Sequence, residues 1–301
     1  MSTVQSVQSR EDEAERVNQK LRHRARVRHI WGDILTYAVL ILVTCLILFP
    51  LLIVILTSFT PQRYEQQWPP RIIPQAWTFE NYVSLFQRLP VMREMGNAAL
   101  FAIAVTVFSV FFDACAAYAL SHIDFHGRGF LLGLMIATLM IPGMALLLPV
   151  YHLLASMGLV NNYWGIIIPR MADVGGIFLM RQFFVSLPRE LDEAARIDGA
   201  GEFRIFWSVI LPNSKSVLLV ITMFNLMGNW NDLLWPLIMT STPEERTITV
   251  GLSMLTGHGS SVTPYGVVMA GALISALPLV IVYFFVQKSF VQGIAMTGLK
   301  G

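Results

Sequence analysis

Charge is what this sequence has least of. Only 13% of its 301 residues are Asp, Glu, Lys or Arg, about half of the roughly 25% usual in soluble domains. The hydrophobic share is 55%, and it falls in long blocks rather than short amphipathic runs, which is a membrane composition. Cysteine is scarce too. Cys45 and Cys115 both lie inside apolar blocks, so neither a disulfide framework nor a metal spacing can be read from them. They read as small core hydrophobes. No GxxxxGKS/T phosphate loop occurs, so the chain carries no nucleotide site of its own. HExxH, GxSxG and His-rich clusters are also missing, and with them any nameable catalytic constellation. The net charge of +2 is too small to imply a nucleic-acid partner.

What is present is apolar length. A helix needs about 20 apolar residues to cross ~30 Å of hydrocarbon. Six segments qualify: 34–58, 98–120, 129–153, 164–185, 216–240 and 266–287. Turn-rich or charged stretches separate them, among them Thr60-Pro61-Gln62-Arg63 and Thr242-Pro243-Glu244-Glu245-Arg246. The blocks are too continuous for barrel strands, which alternate over about 10 residues. The expected fold is therefore all-α, a polytopic bundle of six transmembrane helices.

Charge asymmetry sets the expected orientation. With the N-terminus inside, inner segments hold fifteen Lys and Arg against five in the outer loops, with Arg170 inside a span. That distribution puts both termini in the cytoplasm. The chain divides into an N-terminal extension (1–30), a membrane domain (31–288) and a C-terminal tail (289–301). The basic run from Lys20 to Arg28 reads as a topology anchor. A polar extension followed by so long an apolar block argues against a signal peptide.

The most informative loop is 186–212, between the fourth and fifth spans. Ser186, then Pro188, then acids in the first turn signal a helix start. Leu191, Ala194 and Ala195 share one face, while Arg189, Asp192, Glu193 and Arg196 cover the rest. Asp198-Gly199 with Gly201 stops the helix and turns the chain. A second amphipathic stretch places Phe203, Phe206, Trp207 and Ile210 at helical spacing, expected to pack against the inner ends of the spans. A short helix held out on a stiff support suits docking in a partner's groove.

Glu193-Ala194-Ala195-Arg196-Ile197-Asp198-Gly199-Ala200, then eleven residues to Pro212, resembles the EAA loop of the membrane subunits of ABC importers. Three further stretches extend the likeness over most of the chain. They are FNLMGNWNDLLWPL from Phe224 to Leu237, Tyr118-Ala119-Leu120 with Gly127-Arg128, and the terminus from Phe290 to Gly301. The chain is similar to the maltose-type carbohydrate permease group, specifically its smaller six-span partner. The N-terminal extension departs from that pattern.

The resemblance implies a permease subunit of an ATP-driven, binding-protein-dependent carbohydrate importer in the cytoplasmic membrane, working by alternating access. It implies two copies of an ATPase subunit, a second and non-identical permease, and an extracytoplasmic solute-binding protein. ATP and Mg²⁺ belong to the ATPase, with no cofactor on this chain. Glu193, Ala194, Ala195, Asp198, Gly199 and Ala200 take the ATPase-coupling positions. By the same resemblance Gly298, Lys300 and Gly301 contact the ATPase. The loop carrying Gly257, His258 and Gly259 reaches the binding protein, although its residues alone suit a plain flexible loop equally.

Charged groups within spans, here Asp113, Arg170, Asp173 and Asp232, are costly and call for a reason. Arg170 and Asp173 stand i, i+3 and can pair with each other, either to fix packing or within a path. Asn225, Asn229 and Asp232 form a polar stripe on the fifth span, with Trp235 near it and Trp230 turned away. Lining for a sugar path and hydrogen bonding between helices both fit that stripe. Two other classes compete with the importer reading. A different cargo (glycerol phosphate, polyamine or amino acid) keeps the machine, and an ion-coupled secondary transporter replaces it but shows no repeat.

Overall fold

The computed structural model describes residues 32–65, 72–257 and 264–298, and among them every regular element is helical. Helix α1 spans Gly32–Ser58, and residues 32–52 are exposed along its whole length. Two short helices follow, α2 (Gln62–Glu65) and α3 (Glu80–Arg88), and then α4 (Val91–His122). The centre of the chain runs through α5 (Arg128–Thr138), α6 (Gly143–Ser156), α7 (Tyr163–Ile167) and α8 (Val174–Val185). The loop elements are α9 (Glu190–Ile197), α10 (Glu202–Ile205), a π-turn at Phe206–Ile210 and α11 (Leu211–Asn213). Last come α12 (Lys215–Trp230), α13 (Leu234–Met239), α14 (Ile248–Gly257) and α15 (Tyr265–Gly298).

The 32-residue α4 is the central pillar, packing most extensively against α8 and α12. Near its C-terminal end Ala114, Ala117 and Tyr118 join Met180, Phe184 and Ile210 in one core cluster. Towards the other end Phe101 and Val105 meet Ile166, Trp235 and Met239. Its N-terminal turns pack beside α14 and α15 through Val91, Ala98, Ile248 and Val267. Small residues on α4 let these neighbours approach closely, as helix packing in lipid favours.

The expected spans are interrupted more than their hydropathy suggests. Among the described residues, three helices are long and apolar enough to cross a membrane: Gly32–Ser58, Val91–His122 and Tyr265–Gln287. Segment 129–153 is instead α5 and α6, bent by 99° at the break before Gly143. Pro142 lacks an N–H and bars Ile141 from helical geometry, so the ladder stops there. Segment 164–185 is α7, a 3₁₀ turn through Pro169, and the 12-residue α8. Segment 216–240 breaks at 231–233 between α12 and α13. The loop helices join α12 through an 82° bend, where Ser214 Oγ donates to the Ile210 carbonyl at 2.7 Å. Beyond the expected end of the sixth span, α15 continues as helix to Gly298, across most of the segment read as a tail.

One amide ties the end opposite the loop. Buried Asn97 donates through Nδ2 to the carbonyls of Glu244 at 2.8 Å and Arg246 at 2.9 Å. Its Oδ1 accepts from the Tyr163 hydroxyl at 2.9 Å. Removing it leaves three partly buried groups without this partner and costs on the order of 2 kcal/mol. Asn97→Ala is expected to lower the melting temperature of the detergent-purified protein by several degrees. An unchanged melting curve would show that this amide holds nothing.

Candidate functional site

Two regions concentrate the polar side chains, the 186–212 loop and a cavity at the span breaks. In the loop, α9 starts later than the Ser186 signal suggests. Ser186 Oγ donates to the Phe183 carbonyl at 2.6 Å and so closes α8. Arg189 stands at the N-cap, and its carbonyl accepts from the Glu193 N–H at 3.0 Å. Glu190, Asp192 and Glu193 in the first turn complement the helix dipole. At the other end the Ala200 N–H reaches the Ala195 carbonyl at 2.9 Å and the Gly199 N–H reaches Arg196 at 3.0 Å. These two bonds form a Schellman motif, with Gly199 at φ +80° where L side chains are strained. The glycine is required by that turn.

Which faces are free differs from the sequence expectation. Asp192, expected on the polar cover, is buried, and its Oδ2 lies 3.2 Å from His122 Nε2 at the end of α4. The His122 ring stacks on Tyr118 with centroids 5.2 Å apart, and its Nδ1 bonds the Ser121 hydroxyl at 2.7 Å. The Tyr118 hydroxyl donates to Glu202 Oε2 at 2.5 Å, and Arg196 Nε donates to Glu202 Oε1 at 3.0 Å. The Arg196 bond and then the Tyr118 bond hold the Glu202 carboxyl below the usual carboxylate range. Its small contribution at this exposure is present at neutral pH and lost only in acid, as pH falls through that lowered value.

Ala195 and Ala200 turn inward onto the core cluster, whereas Glu193, Ala194 and Asp198 face out. The outward surface is unexpectedly apolar: Ile197 is 87% exposed and Phe203 73%. The aromatic face is correspondingly split. Ile205, Phe206 and Ile210 are buried, while Phe203 and Trp207 are exposed. The split follows i, i+4 pairs across the π-helical turn at Phe206–Ile210, with Phe206 and Ile210 turned to the core and Phe203 and Trp207 away from it.

The second region is a cavity of about 560 Å³ lined by Arg170, Asp173, Asn225, Asn229 and Asp232 among others. The polar stripe therefore does converge on one space. Trp235 lines an adjoining cavity, with its Nε1 committed to the Ile166 carbonyl at 3.2 Å. Trp230 turns away, donating to the Ser275 carbonyl at 3.0 Å. The proposed i, i+3 pair of Arg170 and Asp173 does not form, because the chain between them is a turn rather than an α-helix. Arg170 Nη2 instead meets Asp232 Oδ2 at 2.5 Å, and Nη1 donates to Asn229 Oδ1 at 3.0 Å. Asp173 caps α8, accepting from the Gly176 N–H at 2.8 Å.

Asp113 completes this break. Fully buried on α4, it accepts from Ser109 Oγ and from the Asp173 N–H, each at 2.8 Å. Gly176 packs so tightly against its carboxylate that a Cβ there would overlap it. Asp113 stood out in the sequence as an acid inside an apolar span but was given no partner there, and His122 and Tyr118 were not singled out as site residues. Of the remaining expected positions, Gly257 ends α14 and Gly298 ends α15. His258, Gly259, Lys300 and Gly301 lie outside the described residues.

Comparison with known proteins gives a consistent set of relatives. Residues 114–296 match the family described as binding-protein-dependent transport system inner membrane component. The arabinooligosaccharides transport system permease protein AraQ of Halalkalibacterium halodurans is 34% identical, over 84% of this chain and 91% of that protein. The sn-glycerol-3-phosphate transport system permease protein UgpE of Yersinia pestis is 32% identical, over 87% and 95% respectively. Among solved structures, a bacterial ABC transporter involved in the import of the acidic polysaccharide alginate superposes with a TM-score of 0.77. That chain is 26% identical, covering 87% of this chain and 97% of its own.

The buried carboxylate and the exposed one on α9 are expected to behave differently. Asp192→Ala leaves His122 without its partner, at a cost on the order of 1–3 kcal/mol. Limited trypsin digestion should then cut faster at Arg189 and Arg196, while Glu193→Ala leaves the cleavage rate unchanged. Equal rates in the two variants would mean that the His122 contact does not hold the helix down.

Proposed function

The chain belongs to the binding-protein-dependent transport system inner membrane component family, and we propose that it is the permease subunit of an ATP-driven carbohydrate importer. The observation that carries this reading is α9. It is a short helix latched to the protein body by Asp192 and Glu202, and it presents Glu193, Ala194 and Ile197 outward. A surface of that kind is stable only when a partner covers its apolar part. An ATPase subunit is that partner. Glu193 pairs with it, Ala194 permits close approach, and Asp198, Gly199 and Ala200 hold the turn, with Ala195 seating the helix from within.

The permease crosses the membrane six times, with α5–α6, the α7–α8 segment and α12–α13 each serving as one broken span. The excess of Lys and Arg in the loop-side segments supports cytoplasmic termini and a cytoplasmic α9. Two ATPase copies bind ATP and Mg²⁺, a second and non-identical permease completes the pore, and an external solute-binding protein delivers the cargo. Closure of the ATPase pair moves α9, and the spans alternate between inward-facing and outward-facing states. Asn225, Asn229, Asp232 and the Trp235 ring supply hydrogen-bonding groups and a flat apolar face, the two features a sugar binds. Gly257, His258 and Gly259 form a tip that meets the binding protein, and Gly298, Lys300 and Gly301 meet the ATPase.

A phosphorylated polyol is the second cargo reading, favoured by the likeness to UgpE. Broken spans around a polar centre also occur in secondary transporters, but such a machine leaves the latched α9 without a use.

Purification of the tagged chain from its native membrane tests the reading. An ATPase and a second permease are expected to co-purify, and the ATPase is lost when Glu193 and Gly199 are both replaced. Recovery of this chain alone, under conditions that preserve known complexes, counts against the importer. Bulky residues at Gly257 and Gly259 are expected to impair uptake without disturbing assembly, and normal uptake would remove that loop from the mechanism.

A further inference from the structure

Two cavities meet at one ion pair. The first, about 560 Å³, reaches Val105, Phe224, Asn225, Gly228 and Asn229. The second, about 670 Å³, reaches Gly143, Leu147, Val150, Leu234 and Trp235. Pro169, Arg170, Asp173 and Asp232 line both, so these four residues form the partition. The two sets lie on opposite sides of it along the chain. On the fifth span Phe224 to Asn229 come before Asp232, on the part that begins at the loop end, and Leu234 and Trp235 come after it. On the third span the second cavity uses α6, beyond the bend and away from Arg128, which bonds the loop end of α4.

The partition is not part of a rigid core. Arg170 stands on the turn before α8 and Asp232 on the break between α12 and α13. Their side chains keep 36% and 15% exposure, so both face open space. The guanidinium is held through Nη2 by Asp232 and through Nη1 by Asn229, while Asp173 is committed to capping α8.

We propose that the Arg170–Asp232 pair closes the transport path. Joined, the pair divides the path into an outer and an inner half-cavity; parted, it opens one passage between them. This rests on the permease reading above and adds a chemical selection. Parting the pair costs each half-buried charge its partner, and a buried charge that loses its partner is costly. A neutral polyol offsets that loss on both sides, since each hydroxyl donates to a carboxylate and accepts from a guanidinium. An anionic solute satisfies only Arg170 and is repelled by Asp232 and Asp173. The cargo class that fits the closure is therefore an uncharged saccharide.

The test uses the whole complex, purified from its native membrane and reconstituted into proteoliposomes with trapped sucrose and trapped inulin. Without ATP, Arg170→Gln and Asp232→Asn are each expected to raise sucrose efflux on the order of 10-fold, the factor that loss of a partly desolvated ion pair corresponds to. Inulin should stay inside in every case. The reversed pair, Arg170→Asp with Asp232→Arg, should bring sucrose efflux back towards the wild-type rate. If Arg170→Gln fails to assemble, Arg170→Lys keeps the charge without the two-anchor geometry and should leak less, but measurably. Assembled single variants that stay tight, or a leak that the reversed pair does not reduce, overturn the proposal. ATP-driven uptake by the wild-type complex is measured beside them. Failure there sinks the permease reading itself, whereas normal uptake with tight variants removes only the closure.

Discussion

A helix interrupted in apolar surroundings leaves backbone groups without water to bond them, and the architecture depends on how those ends are satisfied. The break before α8 shows the solution. Asp113, carried in on the unbroken α4, takes the Asp173 N–H, and the Asp173 carboxylate takes the Gly176 N–H. Ser109 supplies a further donor to Asp113, and Gly176 leaves room for the close approach. The other breaks use smaller means, with Trp235 bonding the Ile166 carbonyl and Ser214 bonding Ile210. Spans that would otherwise be continuous are thereby opened around a polar centre.

Helix α4 then relates the two functional regions. Its C-terminal turn holds α9 and α10 through His122 and Tyr118, and its middle holds the Asp173 turn through Asp113. Further along, the Phe101 ring lies 5.9 Å from the Arg170 guanidinium. One unbroken helix therefore touches the latched loop helix, the turn before α8 and the charged wall of the cavity. Contacts run from α9 along α4 to the cavity wall without a break.

The loop motif and the polar stripe were legible because both are local patterns. Gly199 was readable as a turn residue from Asp198-Gly199 alone, and φ +80° is what that turn adopts. Asn225, Asn229 and Asp232 share a face by helical spacing and do line one cavity. The pairing of Arg170 was not legible, since Asp173 stood nearer in sequence and only the non-helical stretch at 171–172 separates them. The burial of Asp192 was hidden for a similar reason, because its partner His122 lies on another helix. Which of the aromatic residues turn to the core, Phe206 rather than Phe203 and Trp207, leaves no mark in residue spacing.

Composition, apolar block length and the loop motif by themselves determined a helical membrane protein with a short helix in its 186–212 loop, because each is a property of residues near one another in the chain. Only the tertiary structure decided where the spans break, which acid meets which base, and which face of α9 stays free. Those outcomes turn on groups brought together from distant helices. In a low-dielectric interior such groups must pair with whatever partner the packing puts within reach.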